Sequence, residues 1–260
     1  MITSPRNQKL KDIRRLRRSK GDLALLEGPH LIAEALRGGV VLEEVLATPE
    51  FLADAAQREL LAALPHPPEP VAAAVLDRLA DADSPRGIVA VARLPRAGAE
   101  SLPVRADGVY VYADALQDPG NLGALARVAE AASATGLALG PGCCHPNHPR
   151  ALRAAAGSLL RLPVGVGVDA EALASRLRPI EARWTALLPR GGRDLHHLAA
   201  AEVEPPLVLL VGAEGAGLSP DLAARATQSW TIPVAAPVES LNATVAAAIA
   251  LFEIRRRARG

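Results

Sequence analysis

Short apolar runs alternate with amphipathic stretches along almost the whole chain. The runs at residues 23–26, 40–48 and 88–92 predict strands, and the stretches at 30–36, at 50–64 and after Val71 predict helices. Ser84-Pro85-Arg86-Gly87 predicts a turn. From Pro95 to Asp107 proline, glycine and charge predominate, which predicts a linker over 96–107. The pattern then restarts, with strands predicted at 109–116, 137–139, 162–166, 184–188, 207–211 and 230–232. Helices are predicted at 122–135, 151–160, 171–177 and 243–254. Such alternation implies an α/β protein in two parts: a small α/β domain over 1–95 and a domain with five or six parallel strands over 108–260. A ligand of the second part belongs beyond the C-terminal ends of its strands.

Composition changes this picture in a few places. Half of the residues are hydrophobic but only 2% are aromatic, so alanine, valine and leucine must fill the cores. The net charge of +1 hides an uneven distribution. Residues 1–20 carry eight basic groups (Arg6, Lys9, Lys11, Arg14, Arg15, Arg17, Arg18, Lys20) against Asp12 alone. Leu10, Ile13 and Leu16 give this stretch a narrow apolar helical stripe, with the cations on its other faces. That excess is larger than solubility needs, and it marks Arg6, Lys9, Arg14, Arg15, Arg17 and Arg18 as candidates for RNA-backbone contact. Adjacent cysteines, Cys143 and Cys144, would form a strained disulfide, so reduced thiols and a cytoplasmic setting are expected. The chain opens on charged residues, and no apolar run approaches the ~20 residues that span a bilayer, so no membrane association is expected. Cys143-Cys144-His145-Pro146-Asn147-His148 crowds four ligand-type side chains too closely for a tetrahedral site, and no metal is expected.

The glycine-rich turns carry the candidate chemistry. Leu207 to Val211 is a buried-strand pattern that runs into Gly212-Ala213-Glu214-Gly215-Ala216-Gly217. This does not match G-x-G-x-x-G, which argues against a dinucleotide-binding oxidoreductase. Ser219-Pro220 reads as a helix start, as does Ser240-Leu241-Asn242, where either polar residue can serve as N-cap. Asp118-Pro119-Gly120-Asn121-Leu122-Gly123, with Arg127 following, forms a third such block.

Taken in order, these three blocks resemble the three motifs of the SpoU (TrmH-like) family of RNA ribose 2'-O-methyltransferases. Each block is weak alone; together they are specific. Leu26-Glu27-Gly28 and the stretch from Pro85 to Val91 resemble the family's N-terminal substrate-binding domain, which is L30e-like. The resemblance implies a SPOUT parallel-sheet domain with a trefoil knot, S-adenosyl-L-methionine as cofactor, a homodimer, and a structured RNA substrate. Ribosomal RNA is favoured over transfer RNA, and some members modify 23S RNA to confer antibiotic resistance. A non-catalytic RNA-binding module on the same fold is the alternative of a different class.

By the same resemblance Asn121, Arg127, Glu214, Ser240 and Asn242 form the reaction centre. Gly212, Ile232 and Leu241 hold the cofactor, with a fourth contact near Ala186. Family members place an arginine at Arg127 as the base that takes the hydroxyl proton. A guanidinium is protonated at all ordinary pH, so phosphate binding is an equal reading, and pairing with Glu130 or Asp118 is a purely structural one. Asn121 can simply bond its own turn. Glu214 can hold Asn121 or its loop, or counter the charge of Arg127. Glu27 is expected to cap, or to pair with the basic helix. The chain departs from the family in having Ala243-Thr244 where Val-Ser is usual, and in carrying Pro237 and Glu239 in the loop before Ser240.

Overall fold

The computed structural model describes residues 1–16, 21–79 and 86–257. Arg17, Arg18 and Lys20 of the basic stretch, and Ser84 and Pro85 of the expected turn, lie outside the described residues. The chain forms two compact units, Met1–Pro95 with His145–Arg161, and Arg96–Cys144 with Leu162–Gly260. The division differs from the sequence expectation in two ways: a segment of the second half joins the first unit, and residues 96–107 belong to the second unit instead of linking the two.

Among the described residues the first unit is built on four strands, β1 (Leu23–Glu27), β2 (Val41–Ala47), β3 (Glu69–Pro70) and β4 (Ile88–Arg93), in the order β1-β4-β2-β3. β4 runs antiparallel to both β1 and β2, and β3 is parallel to β2. The two residues of β3 carry no periodic signal; they are a strand only because β2 lies beside them. The N-terminal helix Gln8–Leu16 is part of the unit's core, since Leu10 and Ile13 pack with Leu25, Leu46, Val71 and Leu76. Its cations are partly neutralised. Lys9 Nζ lies 2.7 Å from Glu69 and 3.4 Å from Glu44, and Arg15 lies 2.9 Å from Asp12. The hydrogen bond to Glu69 holds the Lys9 ammonium above its usual pKa, against the opposing effect of burial.

Residues 145–161 complete this unit. They form two short helices, Pro149–Ala155 and Ser158–Arg161, where one helix over 151–160 was expected. Ala156 (φ 48°) and Gly157 (φ 97°) interrupt it in the left-handed region. Two polar anchors fix the segment. The Asn147 amide donates to the carbonyls of Gly21 (3.1 Å) and Leu94 (3.0 Å). Arg153 Nη1 donates to Glu27 Oε2 at 2.6 Å, and the Glu27 side chain is only 1% exposed. Glu27 thus pairs with this segment. Removing Arg153 takes a charge-assisted hydrogen bond from a buried carboxylate, worth roughly 1.5–3 kcal/mol.

Among the described residues the second unit has seven parallel strands, not five or six. They are β5 (Val109–Ala113), β6 (Gly136–Leu139), β7 (Val164–Val166), β8 (Arg183–Leu187), β9 (Arg193–Asp194), β10 (Leu207–Val211) and β11 (Gln228–Thr231), in the order β7-β6-β5-β10-β8-β11-β9. All five residues of β10 are buried, as a central strand covered on both faces requires. Leu102 is buried within this core beside Tyr110 and Trp184, and the Tyr110 hydroxyl donates to the Pro103 carbonyl at 2.7 Å. These contacts fold the expected linker into the unit. Burial pushes the Tyr112 phenol up to about 12, and its hydroxyl donates to Val168 O at 2.9 Å. The register sets Val211 beside Ala113, Leu210 beside Ala186, and Leu187 beside Trp230. The C-terminal ends of β5, β10, β8 and β11 therefore finish almost level, and the loops that follow them share one edge. Among the described residues no helix is long and apolar enough to cross a membrane.

Candidate active site

The loop after β5 leads into the helix Pro119–Ala131, which starts three residues earlier than the periodicity suggested. Apolar spacing does not register its first turn, but the capping chemistry does. Asp118 Oδ1 accepts from Asn121 N at 2.9 Å, and Pro119 occupies the first turn, where no intrahelical N–H is needed. This places Asn121 at the exposed end of the helix. Its Nδ2 donates to Glu214 Oε1, on the loop after β10. Its Oδ1 accepts from Asn242 Nδ2 at 3.3 Å. Asn242 Oδ1 in turn accepts from Thr244 N (2.9 Å) and Val245 N (3.3 Å), capping the last helix, Ala243–Arg257. Thr244 Oγ1 donates to the Asn121 carbonyl at 3.1 Å.

The donor and acceptor roles along this chain are mutually consistent. A carboxylate only accepts, so it draws the NH2 of Asn121 and leaves its oxygen for Asn242. The oxygen of Asn242 is committed to two helix amides, so only its NH2 can reach Asn121. Three loops from distant parts of the sequence are thereby tied at one point.

Beside this point lies a cleft of about 530 Å³. It is lined by Leu187 at the end of β8 with Leu188 and Pro189 after it, by residues 212–218 after β10, and by Ile232, Val234, Ser240, Leu241 and Asn242 after β11. Gly212 is forced by the loop's own path, because a Cβ there would sit 2.2 Å from the carbonyl carbon of Gly217. Of the residues singled out in the sequence, Gly212, Glu214, Ile232, Ser240, Leu241 and Asn242 line the cleft. Asn121 joins them through its bonds to Glu214 and Asn242. Ala186 does not line it; that residue is 1% exposed inside β8, and the next three residues form the wall instead. The strand ends at Leu187, so its register could not be fixed from an apolar run alone. Arg127 stands exposed on the Pro119–Ala131 helix, outside the lining, and its side chain has no hydrogen bond or ion pair with any described residue. That leaves its charge available and removes the structural pairings with Glu130 or Asp118. Ser219, expected as an N-cap, caps only through its backbone, since its side chain makes no cap bond. Among the described residues no cluster of His, Cys, Asp or Glu could hold a metal, and neither cysteine is in a disulfide. His145 and His148 instead accept from the backbone amides of Asn147 and Arg150, each at 3.2 Å.

Residues 108–252 match the model of the SpoU rRNA Methylase family. The chain belongs to that family. Residues 7–90 of this SpoU chain match the MRM3-like substrate binding domain. It is 31% identical to the 23S rRNA (guanosine(2553)-2'-O)-methyltransferase RlmP of Bacillus subtilis, over 98% of each chain. It is 31% identical to the 23S rRNA (adenosine(1067)-2'-O)-methyltransferase of Streptomyces laurentii, over 98% of this chain and 94% of that one. Among solved structures, the SpoU methyltransferase AviRb of Streptomyces viridochromogenes in complex with AdoMet superposes with a TM-score of 0.89 at 26% identity, covering 98% of this chain and 99% of that one. This SpoU chain is accordingly an enzyme, a methyltransferase acting on RNA.

Proposed function

We propose that this SpoU chain transfers the methyl group of S-adenosyl-L-methionine to a ribose 2'-hydroxyl of structured RNA, and that the RNA is 23S ribosomal RNA. The observation that carries this is the convergence of all three motif loops on one cleft, tied together by the Asn121–Glu214–Asn242 chain. The cleft suits the cofactor in size and lining. About 530 Å³ falls within the range of small-molecule sites. Leu187, Leu188, Ile232 and Leu241 offer apolar walls for an adenine, and the backbone of residues 212–218 offers polar edges. When bound, the cofactor supplies an electrophilic methyl on a sulfonium.

The chain's own groups do the rest. Asn121 and Asn242 each keep one amide proton beyond the bonds described, available to orient a ribose oxygen. Arg127, always cationic, grips backbone phosphate and steadies the oxygen as its proton passes to water. The choice of ribosomal RNA rests on the named activities of the relatives from B. subtilis and S. laurentii, and the protein works in the cytoplasm with that RNA. Methyl incorporation from labelled cofactor into total RNA, followed by mapping of the modified ribose, tests the reading. Label confined to transfer RNA would overturn the substrate, and no label in an RNA-bound protein would make it a binding module.

RNA binding draws on the first unit. Arg6, Lys11 and Arg14 are exposed and form no ion pair with any described residue, whereas Lys9 is committed to Glu69 and Glu44. Replacing Arg6, Lys11 and Arg14 together with alanine lowers the slope of log affinity against log salt by about 2, in proportion to the number of phosphates no longer neutralised. An unchanged slope would show that these cations are merely solvated. Substitution is the right test because deleting the helix would strip Leu10 and Ile13 from the core.

The protein works as a homodimer. Val245 and Phe252 lie two turns apart on the last helix, and each is 48% exposed. They present an apolar strip that a second copy would cover. Light scattering should give twice the 27.0 kDa chain mass, and a single chain mass at micromolar concentration would rule the dimer out.

A further inference from the structure

Residues 212–218, which all line the cleft, comprise three glycines, two alanines, Glu214 and Leu218. Its glycines give the backbone much conformational freedom to lose on becoming ordered. Within itself the loop makes one reciprocal pair of bonds, Ala213 N to Gly217 O (3.0 Å) and Gly217 N to Ala213 O (2.9 Å). Both of its ends are held from outside by the same residue. Asp114, the first residue past β5, donates its backbone N–H to Val211 O at 2.9 Å where the loop begins. Its carboxylate Oδ2 accepts from Ser219 N at 2.7 Å where the loop ends. Asp114 is itself bracketed: Cys143 Sγ donates to Ala113 O and accepts from Leu116 N, each at 3.3 Å.

From this geometry we infer that Asp114 is a positioning residue for the cofactor loop. It closes the loop from β5, keeps the cleft in shape, and sets Glu214 where it meets Asn121. The inference rests on the assignment of this cleft to S-adenosylmethionine. Asp114 acts through Ser219 and Val211, so RNA affinity, which draws on the first unit, does not depend on it. Asparagine retains an oxygen that can accept from Ser219 N, whereas alanine does not.

The test compares full-length wild type, Asp114→Ala and Asp114→Asn. Calorimetric titration with S-adenosylmethionine is combined with kcat and RNA KM at saturating cofactor. Asp114→Ala raises the cofactor Kd about tenfold and lowers kcat about tenfold, the scale of losing one charge-assisted bond, while RNA KM stays within about twofold. Asp114→Asn recovers most of both losses. Hydrogen exchange at the Ser219 amide speeds up in the alanine variant and not in the asparagine variant. Should the alanine variant not fold, Asp114→Ser, whose hydroxyl falls short of that amide, carries the same expectation. Wild-type Kd and kcat in the alanine or serine variant would overturn the role, as would an equal loss in Asp114→Asn or a parallel rise in RNA KM. Wild-type protein that binds no S-adenosylmethionine would overturn the cofactor assignment itself, which separates the two failures.

Discussion

Arg127→Ala lowers methyl transfer about a hundredfold or more, the scale of removing one preorganised charged group from a reaction centre. Cofactor affinity and melting temperature stay at wild-type values. The first half follows from the charge: an exposed guanidinium on the motif helix, paired with no described residue, is free to take a phosphate. The second half follows from position, since Arg127 neither lines the cleft nor packs in a core. Losing a contact made only to RNA and the transition state lowers turnover more than it alters ground-state binding. Arg127→Lys sharpens the result. Lysine keeps the charge but loses the planar fork, so it fails almost as badly if bidentate phosphate geometry matters. Methyl transfer at the wild-type rate in Arg127→Ala would remove this residue from the reaction centre.

Gly212→Ala destroys cofactor binding. The added Cβ meets the Gly217 carbonyl carbon at 2.2 Å, Leu218 N at 2.4 Å and Gly217 O at 2.5 Å, all of them backbone atoms that cannot rotate away. The loop has to open, breaking the Ala213–Gly217 pair and displacing Glu214 from Asn121. A displacement of about 1 Å at such a site costs on the order of 100-fold in rate. The β-sheet is untouched, and overpacking of this kind costs roughly 1–3 kcal/mol, so the protein still folds. Gly215→Ala is the matched control. It meets no atom within 4 Å and bears only the strain of φ 79°, about 1–2 kcal/mol. Its loss of affinity is therefore much smaller. Calorimetric titration of both variants checks the contrast, and equal losses would show that loop strain and not the close approach at Gly212 is decisive.

The glycine loops are legible because a short apolar run ending in glycine has few interpretations. Hence β5, β10 and the three motif blocks can be read directly, whereas the grouping of Gly212, Glu214, Ser240, Leu241 and Asn242 comes from the family resemblance. The features that escape such a reading depend on distant partners. The two-residue strands β3 and β9 exist only through their neighbours. The neutralisation of Lys9 needs Glu69, 60 residues away. Leu187, Leu188 and Pro189 replace Ala186 in the wall because the end of β8 is set by its pairing with β10 and β11. Asp114 falls inside the run 109–116 read as a strand, so its place just past β5 shows only in the pairing of Ala113 with Val211.

The segment His145–Arg161 also bears on how the protein is made. The first unit begins at Met1, but the residues that anchor to Gly21, Leu94 and Glu27 are Asn147 and Arg153. Domains commonly fold in order as they leave the ribosome, at about 5–20 residues per second. Here the first 95 residues emerge before Asn147 and Arg153, whose side chains donate to Gly21, Leu94 and Glu27. They wait until residue 161 is synthesised, and by then β5 and β6 of the second unit have emerged as well. Exchanging residues 1–95 alone for those of a relative would leave the buried side chains of Ala151, Leu152, Ala155 and Leu159 against a foreign surface. The first unit comprises both segments, so a single crossover after residue 95 would separate its parts.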